Sequence, residues 1–467
     1  DPANSIIAGD VYTLDKIFEP LFIASPAGKL TPWLAESYTV SKDNKTFTFK
    51  LRPGVKFSDG SPLTAKDVVF SINRARTDKK GPLSFLDFAI KSLAAKGTST
   101  VVALLSSPWA PFLSDMSVFA NGVMPANYGG KTEAEFFKNP IGTGPFVLSG
   151  FTSDASSLTL KANPHYWQKG KPYLDAVEFL NVDDDNQRVL QLRGGQADVI
   201  DTVPPANVKA LGSDSSLDVK LFPAWQVDLL VLNEKQPQFA DRNVRRAISY
   251  AIDRPALVNA ASFGTAKPGG SFFPPSLQYY SAKTPVLAFN AAKAKAELAK
   301  SAKYAKGFKT TLLIDGGVQK WRTFAQIIQQ QLKPIGIDVT IRALDHAAFE
   351  EAFQKFDYDM FIDYAINDIS DPDEMASFEL DFKSGGSTSY WSSYNSAPVT
   401  ALVHQAQAEF NPAKRAALYA KIQAAVAQDV PFVALDYPPY IYAFSKKVQG
   451  FAVNPGGAYR LEDVWLT

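Results

Sequence analysis

The sequence predicts an α/β protein of more than one domain. Strand-like and helix-like segments alternate along the whole chain without a detectable repeat. At 467 residues the chain exceeds what one hydrophobic core supports, so two or three domains are expected. No low-complexity tether divides it, so the lobes are expected to be joined by several crossings rather than one. Phe47, Phe49 and Leu51 alternate with Thr48, Lys50 and Arg52, the period of a half-buried strand. Pro53-Gly54 turns it, and Ser58-Asp59-Gly60-Ser61-Pro62 turns it again. Thr64-Ala65-Lys66-Asp67 has capping-box spacing and opens a helix through Val68, Val69 and Ile72. Residues 96–106 read as a strand, 141–146 as a glycine-rich crossing and 158–160 as a strand. Asp241 caps a helix on which Val244, Ala247, Ile248, Ala251 and Ile252 share one face. An Ala/Lys-rich helix over 291–303 precedes a strand over 310–314, a helix over 321–333 and a strand over 337–341. Asn411-Pro412 starts the last long helix, which runs to Gln428.

Composition narrows the function. Lys+Arg 48 against Asp+Glu 47 leaves no basic excess to neutralise phosphates, which argues against a nucleic-acid partner. Cysteine is absent, which removes disulfides, thiol nucleophiles and iron–sulfur clusters. No run of about 18 apolar residues predicts a membrane span. The chain opens on Asp1-Pro2 without an initiator Met, which leaves removal of a targeting segment and simple trimming both open.

Motifs for chemistry are missing. The three histidines, His165, His346 and His404, form no paired-ligand spacing, so neither a metal nor a cofactor is expected. Asp183-Asp184-Asp185, followed by Asn186, Gln187 and Arg188, reads as a solvated loop or helix cap. Gly130-Lys131-Thr132 imitates the end of a phosphate-binding loop, but Pro125 stands where the upstream glycine belongs. Gly142-Thr143-Gly144 runs into Pro145, whose ring nitrogen has no hydrogen to offer a phosphate. No G-x-S-x-G elbow occurs, and any chain with 47 acids contains carboxylate pairs. An enzyme is not expected.

Five segments in register resemble the family 5 extracellular solute-binding proteins of ABC importers, the oligopeptide- and dipeptide-binding type. Residues 51–68, LRPGVKFSDGSPLTAKDV, resemble the family's "LRxGvkFxDGxpltAxDV" block. Gly142 to Phe146 resembles its "GTGPY/F" crossing, and Asn163-Pro164-His165-Tyr166-Trp167 its "NPxYW". Asp241 to Ala247 resembles "DxxVRxA", and the tail Leu461 to Leu466 also conforms. The family usually has a strand ahead of "DPA", where this chain begins. Gly54, Gly60, Pro53 and Asp67 suit turns and caps, so these blocks are expected to hold the fold rather than touch ligand.

The resemblance implies a periplasmic-binding-protein-like architecture: two lobes, a central ligand cleft and three domains. A discontinuous core domain (1–25, 144–232 and 445–467) and a small inserted domain (26–143) would form the first lobe, and 233–444 the second. It implies a monomer outside the cytoplasm, periplasmic or lipid-anchored, that closes over a small solute. The solute would be a short peptide, with sugars, opines and metal chelates as the alternatives, and would pass to permease subunits and their ATPases. An extracellular hydrolase using an acid pair in the same cleft is the rival from another class. Within Asn367-Asp368-Ile369-Ser370-Asp371-Pro372, Asp368 would pair with the α-ammonium of a peptide. Arg322, at the start of the 321–333 helix, would hold a terminal carboxylate. Trp225, Trp391 and Tyr364 are candidate walls, with Asn367 and His346 beside them. The stretch Ile6-Ile7-Ala8-Gly9 would offer backbone groups to an extended peptide by strand addition.

Overall fold

The computed structural model describes residues 1–5, 8–78, 81–152, 154, 156–383 and 391–467. The chain divides into two compact units. Unit 1 comprises Asp1–Phe222, Asp368–Asp371 and Tyr440–Thr467, and unit 2 comprises Pro223–Asn367 and Pro372–Pro439. The boundaries therefore fall at 222/223 and 439/440. Sheet pairing is the reason. Strand Gln226–Leu232 lies between two strands of unit 2, and strand Tyr440–Ser445 pairs with Val199–Ile200 and Leu217–Phe222 in unit 1.

Unit 1 holds several small sheets. Ala35–Val40, Thr46–Leu51, Thr100–Leu105 and Ile90–Lys96 form a four-stranded antiparallel sheet, in that order. The alternation read at 47–52 is visible as burial, with Phe47, Phe49 and Leu51 inward. The single strand expected over 96–106 is instead the second half of a hairpin. Gly97 turns it with φ +66°, a left-handed conformation that suits glycine. Thr64 and Asp67 form the capping box that opens helix Ala65–Thr77. Asp184 caps helix Asp185–Arg193 by accepting the Gln187 N–H at 2.8 Å.

The signature blocks converge on one buried carboxylate. Glu19 is fully buried and accepts from Trp33 Nε1 (2.7 Å), Tyr166 Oη (3.1 Å), Trp167 Nε1 (3.0 Å) and an Arg460 guanidinium nitrogen (3.0 Å). Arg460 also donates to Glu462 at 2.7 Å. The Arg52 guanidinium lies 5.0 Å from the Trp167 ring and donates to the Trp33 carbonyl. Gly142 and Gly144 sit against the backbone of Ile17 and Lys16. A Cβ on Gly142 would lie 1.9 Å from the Ile17 carbonyl oxygen, which leaves room for glycine only. Asn163 donates to the Gly144 carbonyl at 2.8 Å.

Unit 2 is a six-stranded mixed sheet, ordered Lys267–Pro268, Phe432–Tyr437, Gln226–Leu232, Met360–Ile366, Phe308–Asp315, Ile337–Leu344. Helices Arg242–Ala251 and Gln319–Leu332 bury Val244, Ala247, Ile248, Phe324, Ala325 and Ile328 against Leu230, Leu232, Leu312 and Ile362. The Ala/Lys-rich helix ends at Leu298 rather than 303, and the one expected at 321 begins at Gln319.

Breaking the Glu19 cluster tests this account of unit 1. Arg460→Met leaves Glu19 and Glu462 buried without their guanidinium, at an expected cost of about 3–5 kcal/mol. The urea-unfolding midpoint should fall, whereas Glu351→Ala, which breaks the exposed Glu351–Lys355 pair, should leave it unchanged.

Candidate functional site

The sheet of unit 2 directs its polar residues to one end. Strands Phe432–Tyr437, Met360–Ile366, Phe308–Asp315 and Ile337–Leu344 run the same way, and Gln226–Leu232 runs against them. Asp436, Tyr364 and Asp315 thus stand at the carboxyl ends of their strands, beside Asp228 at the amino end of the opposing one. In open α/β sheets this is the end where ligands bind.

On the face covered by helix Gln319–Leu332, one ammonium serves two carboxylates. Lys320 Nζ is 2.8 Å from Asp228 Oδ2 and 2.8 Å from Asp436 Oδ2. Trp321 Nε1 donates to Asp228 at 3.3 Å, and Ser262 Oγ donates to Asp436 at 3.2 Å. Burial pulls the Lys320 pKa down, but the two carboxylates more than offset it and the ammonium is held above its usual range. Burial, and then the Asp228 charge, push Asp436 up to about 7 despite Lys320. Tyr364 is the register partner of Asp228, and its ring lies 6.4 Å from that of Trp321.

On the opposite face, His346 Nδ1 lies 2.8 Å from Asp315 Oδ2, and the Gly317 N–H donates to Asp315 Oδ1 at 2.7 Å. The hydrogen bond to Asp315 raises the His346 pKa, and the ring is largely exposed. Arg322 turns back on its own helix start, donating to Gln319 Oε1 and the Gly316 carbonyl. Tyr364, Arg322 and His346 therefore share this end of unit 2.

Other expected site residues are placed differently. Trp225 is 1% exposed, donates its indole N–H to the Ser276 carbonyl at 3.0 Å and accepts the Asn367 N–H at its own carbonyl. Asn367 is fully buried and accepts the Met375 N–H at 3.1 Å. Trp391 packs edge-on against Phe353, Phe361 and Phe378. Phe361 and Tyr364 are three apart in one strand and so face opposite sides of the sheet. Trp391 and Tyr364 are thus not two sides of one wall. Asp368 is half-buried and begins the short segment of unit 1 in which Ile369 packs with Leu83, Leu86 and Val118. Ile6 and Ile7 lie outside the described residues. Ala8 and Gly9 open helix Ala8–Leu14 and are helical, not the extended stretch that strand addition requires.

The carboxylates Asp228, Asp315, Asp363 and Asp436, with Lys320, were not singled out in the sequence. A signal was there. Each Asp interrupts or ends an apolar strand run: VDLL, LLID, FIDY and ALDY. An acid in such a run needs a partner or a purpose. Among the described residues, no group of three or more His, Asp or Glu side chains is disposed to hold a metal ion. Nor is any helix of theirs long and apolar enough to cross a membrane.

Residues 29–387 match the family described as bacterial extracellular solute-binding proteins, family 5 Middle. The chain belongs to this family. It is 30% identical over 460 residues, 96% of its own length and 88% of the relative's, to the glutathione-binding protein GsiB of Shigella dysenteriae. Among solved structures it resembles AgaA of A. tumefacien R10 in complex with agropinic acid (29% identity, TM-score 0.83, 98% of this chain and 94% of that one). It also resembles DppA of Helicobacter pylori in complex with peptide STSA (27% identity, TM-score 0.83, 100% and 95%). The expected periplasmic-binding-protein-like α/β class and the role of solute-binding protein in ABC transport are what these matches show. The relatives are binding proteins rather than enzymes.

The shared ammonium makes a pH-dependent prediction. Lys320→Met strands Asp228 and Asp436 together in a buried site, which should cost about 3–5 kcal/mol when both are ionised. A carboxyl whose pKa is raised on folding destabilises the folded state increasingly as pH climbs from its unfolded value toward its folded one. The loss of urea-unfolding midpoint relative to wild type should therefore be larger at pH 8 than at pH 5. An equal loss at both would show that Lys320 is not balancing these charges.

Proposed function

We propose that this family 5 protein captures a short peptide outside the cytoplasm. It then delivers the peptide, chemically unaltered, to the permease subunits of an ATP-driven importer. The match to a peptide-bound relative across the whole chain, at 27% identity, carries this reading, and the glutathione-binding relative agrees with it. The protein acts as a monomer and takes no nucleic acid, as its near-neutral charge favours. Residues 26–143, which contain the four-stranded sheet, act as the small inserted domain of the first lobe.

Asp368 pairs with the peptide's α-ammonium, a charge-assisted hydrogen bond worth about 1.5–3 kcal/mol. Arg322, exposed at its helix start, turns from Gln319 and Gly316 to a ligand carboxylate. Ligand shifts the open–closed balance only by its differential affinity for the two forms, so no covalent chemistry is needed. A second reading, an opine, is favoured by the agropinic-acid complex of a 29% identical relative.

A pool of dipeptides to pentapeptides should raise the melting temperature of the purified protein, and Asp368→Ala should remove the shift. A full shift in the variant would refute Asp368's role. A shift with agropinic acid but none with peptides would install the second reading, and cleavage of the peptide would replace binding by hydrolysis.

A further inference from the structure

Unit 2 buries one cation without an acid to answer it. Arg254 opens helix Arg254–Ala261 and is 7% exposed, and among the described residues its guanidinium makes no ion pair. Its acceptors are all neutral. Nε donates to the Ala434 carbonyl at 2.7 Å, and Nη1 to the carbonyls of Leu287 (3.1 Å) and Ser249 (3.3 Å). Nη2 donates to Ser249 Oγ at 2.9 Å. The acid beside it in sequence, Asp253, instead caps the helix by accepting the Ala256 N–H at 3.1 Å. Tyr437 Oη accepts the N–H groups of Gly270 and Ser271, and burial pushes its pKa up, so it brings no charge. Burial pulls the Arg254 pKa down to about 10, which leaves the guanidinium charged at neutral pH.

Counting donors leaves two over. A guanidinium carries five N–H groups, and four of them have the acceptors just named. One Nη2 hydrogen has no acceptor among the described residues. Ser249 Oγ receives the other, and its own hydroxyl hydrogen has none there either. Both side chains line a cavity of about 30 Å³, walled by Phe272, Val426 and Phe432. No acidic residue lines it among the described ones. Such a volume takes one water-sized body and is too small for a sulfate or a phosphate. A water would fill the space but leave the cation unbalanced, and a buried cation is costly unless it is paired. A monatomic anion answers both spare donors and the charge together.

We propose that this cavity is a chloride site, in which Arg254 and Ser249 hold the ion. It ties helix Arg242–Ala251, which carries Ser249, to strand Phe432–Tyr437, where Ala434 accepts from Arg254. The site is independent of the peptide reading.

The test is the melting temperature of the full chain at neutral pH in sodium chloride, sodium bromide and sodium gluconate at equal ionic strength. Chloride and bromide should raise it toward saturation, and gluconate, too large for the cavity, should not. Ser249→Ala removes one donor and should raise the half-saturating chloride concentration about tenfold. Arg254→Gln should abolish the chloride dependence. If that variant does not fold, Ser249→Ala and the wild-type protein still decide the matter. A wild-type crystal grown in bromide should show an anomalous peak within hydrogen-bond distance of Arg254 Nη2 and Ser249 Oγ. Equal melting in all three salts, or no anomalous scatterer at that place, would overturn the site in favour of an ordered water only. A bromide peak without chloride-dependent melting would mark an adventitious ion only and overturn it too. An unchanged chloride dependence in folded Ser249→Ala would place the ion elsewhere and likewise overturn it.

Discussion

Unit 1 depends on the Glu19 carboxylate and the donors that surround it. A buried carboxylate is costly unless its lone pairs are filled. Here Trp33, Tyr166, Trp167 and Arg460 fill them, drawn from segments far apart in the chain. Burial pushes the Glu19 pKa up, and Arg460, Trp33 and Trp167 pull it back. The arrangement fixes where the early strands, the Asn163–Trp167 block and the C-terminal tail must meet. Glycine at 142 and 144 lets the backbone approach residues 16 and 17 closely enough for that meeting.

Unit 2 solves the same problem with a lysine. Asp228 and Asp436 come together at the end of an apolar sheet, and Lys320 answers both from the first turn of its helix. One positive charge between two negative ones leaves the site electronegative. Asp363, on the other face, accepts the Tyr364 N–H and has no ion pair among the described residues. The same end of the sheet carries Tyr364, Arg322 and His346. It therefore combines aromatic surface, hydrogen-bond donors and carboxyl groups where strand ends and helix starts meet.

Local elements with strong signals were legible from the residues. The alternation at Phe47–Leu51, the Thr64–Asp67 capping box, the Asp241 cap and the Asn411-Pro412 start all appear in the structure, because each depends on neighbours within a few residues. The hairpin's first strand, Ile90–Lys96, leaves little trace in the sequence, because IKSLAAK is half-exposed and lacks a sustained apolar alternation. Strand addition at Ala8 and Gly9 is ruled out by the helix they open.

By itself the sequence determined the α/β class, the family through five ordered motifs, and the likeness to binding proteins rather than enzymes. The class follows from periodicity and the alternation of elements, and the family and the likeness to binding proteins from the resemblance that the motifs carry. Only tertiary structure decided that the motif residues Tyr166, Trp167, Arg52 and Glu462 gather with Arg460 around Glu19, and that Trp225, Asn367 and Trp391 are taken up in packing. Only the sheet register brought Asp228 beside Asp436 and put Asp315 level with Asp363. These are meetings between residues tens to hundreds of positions apart, and charge pairing across such spans leaves no periodic trace in a single chain.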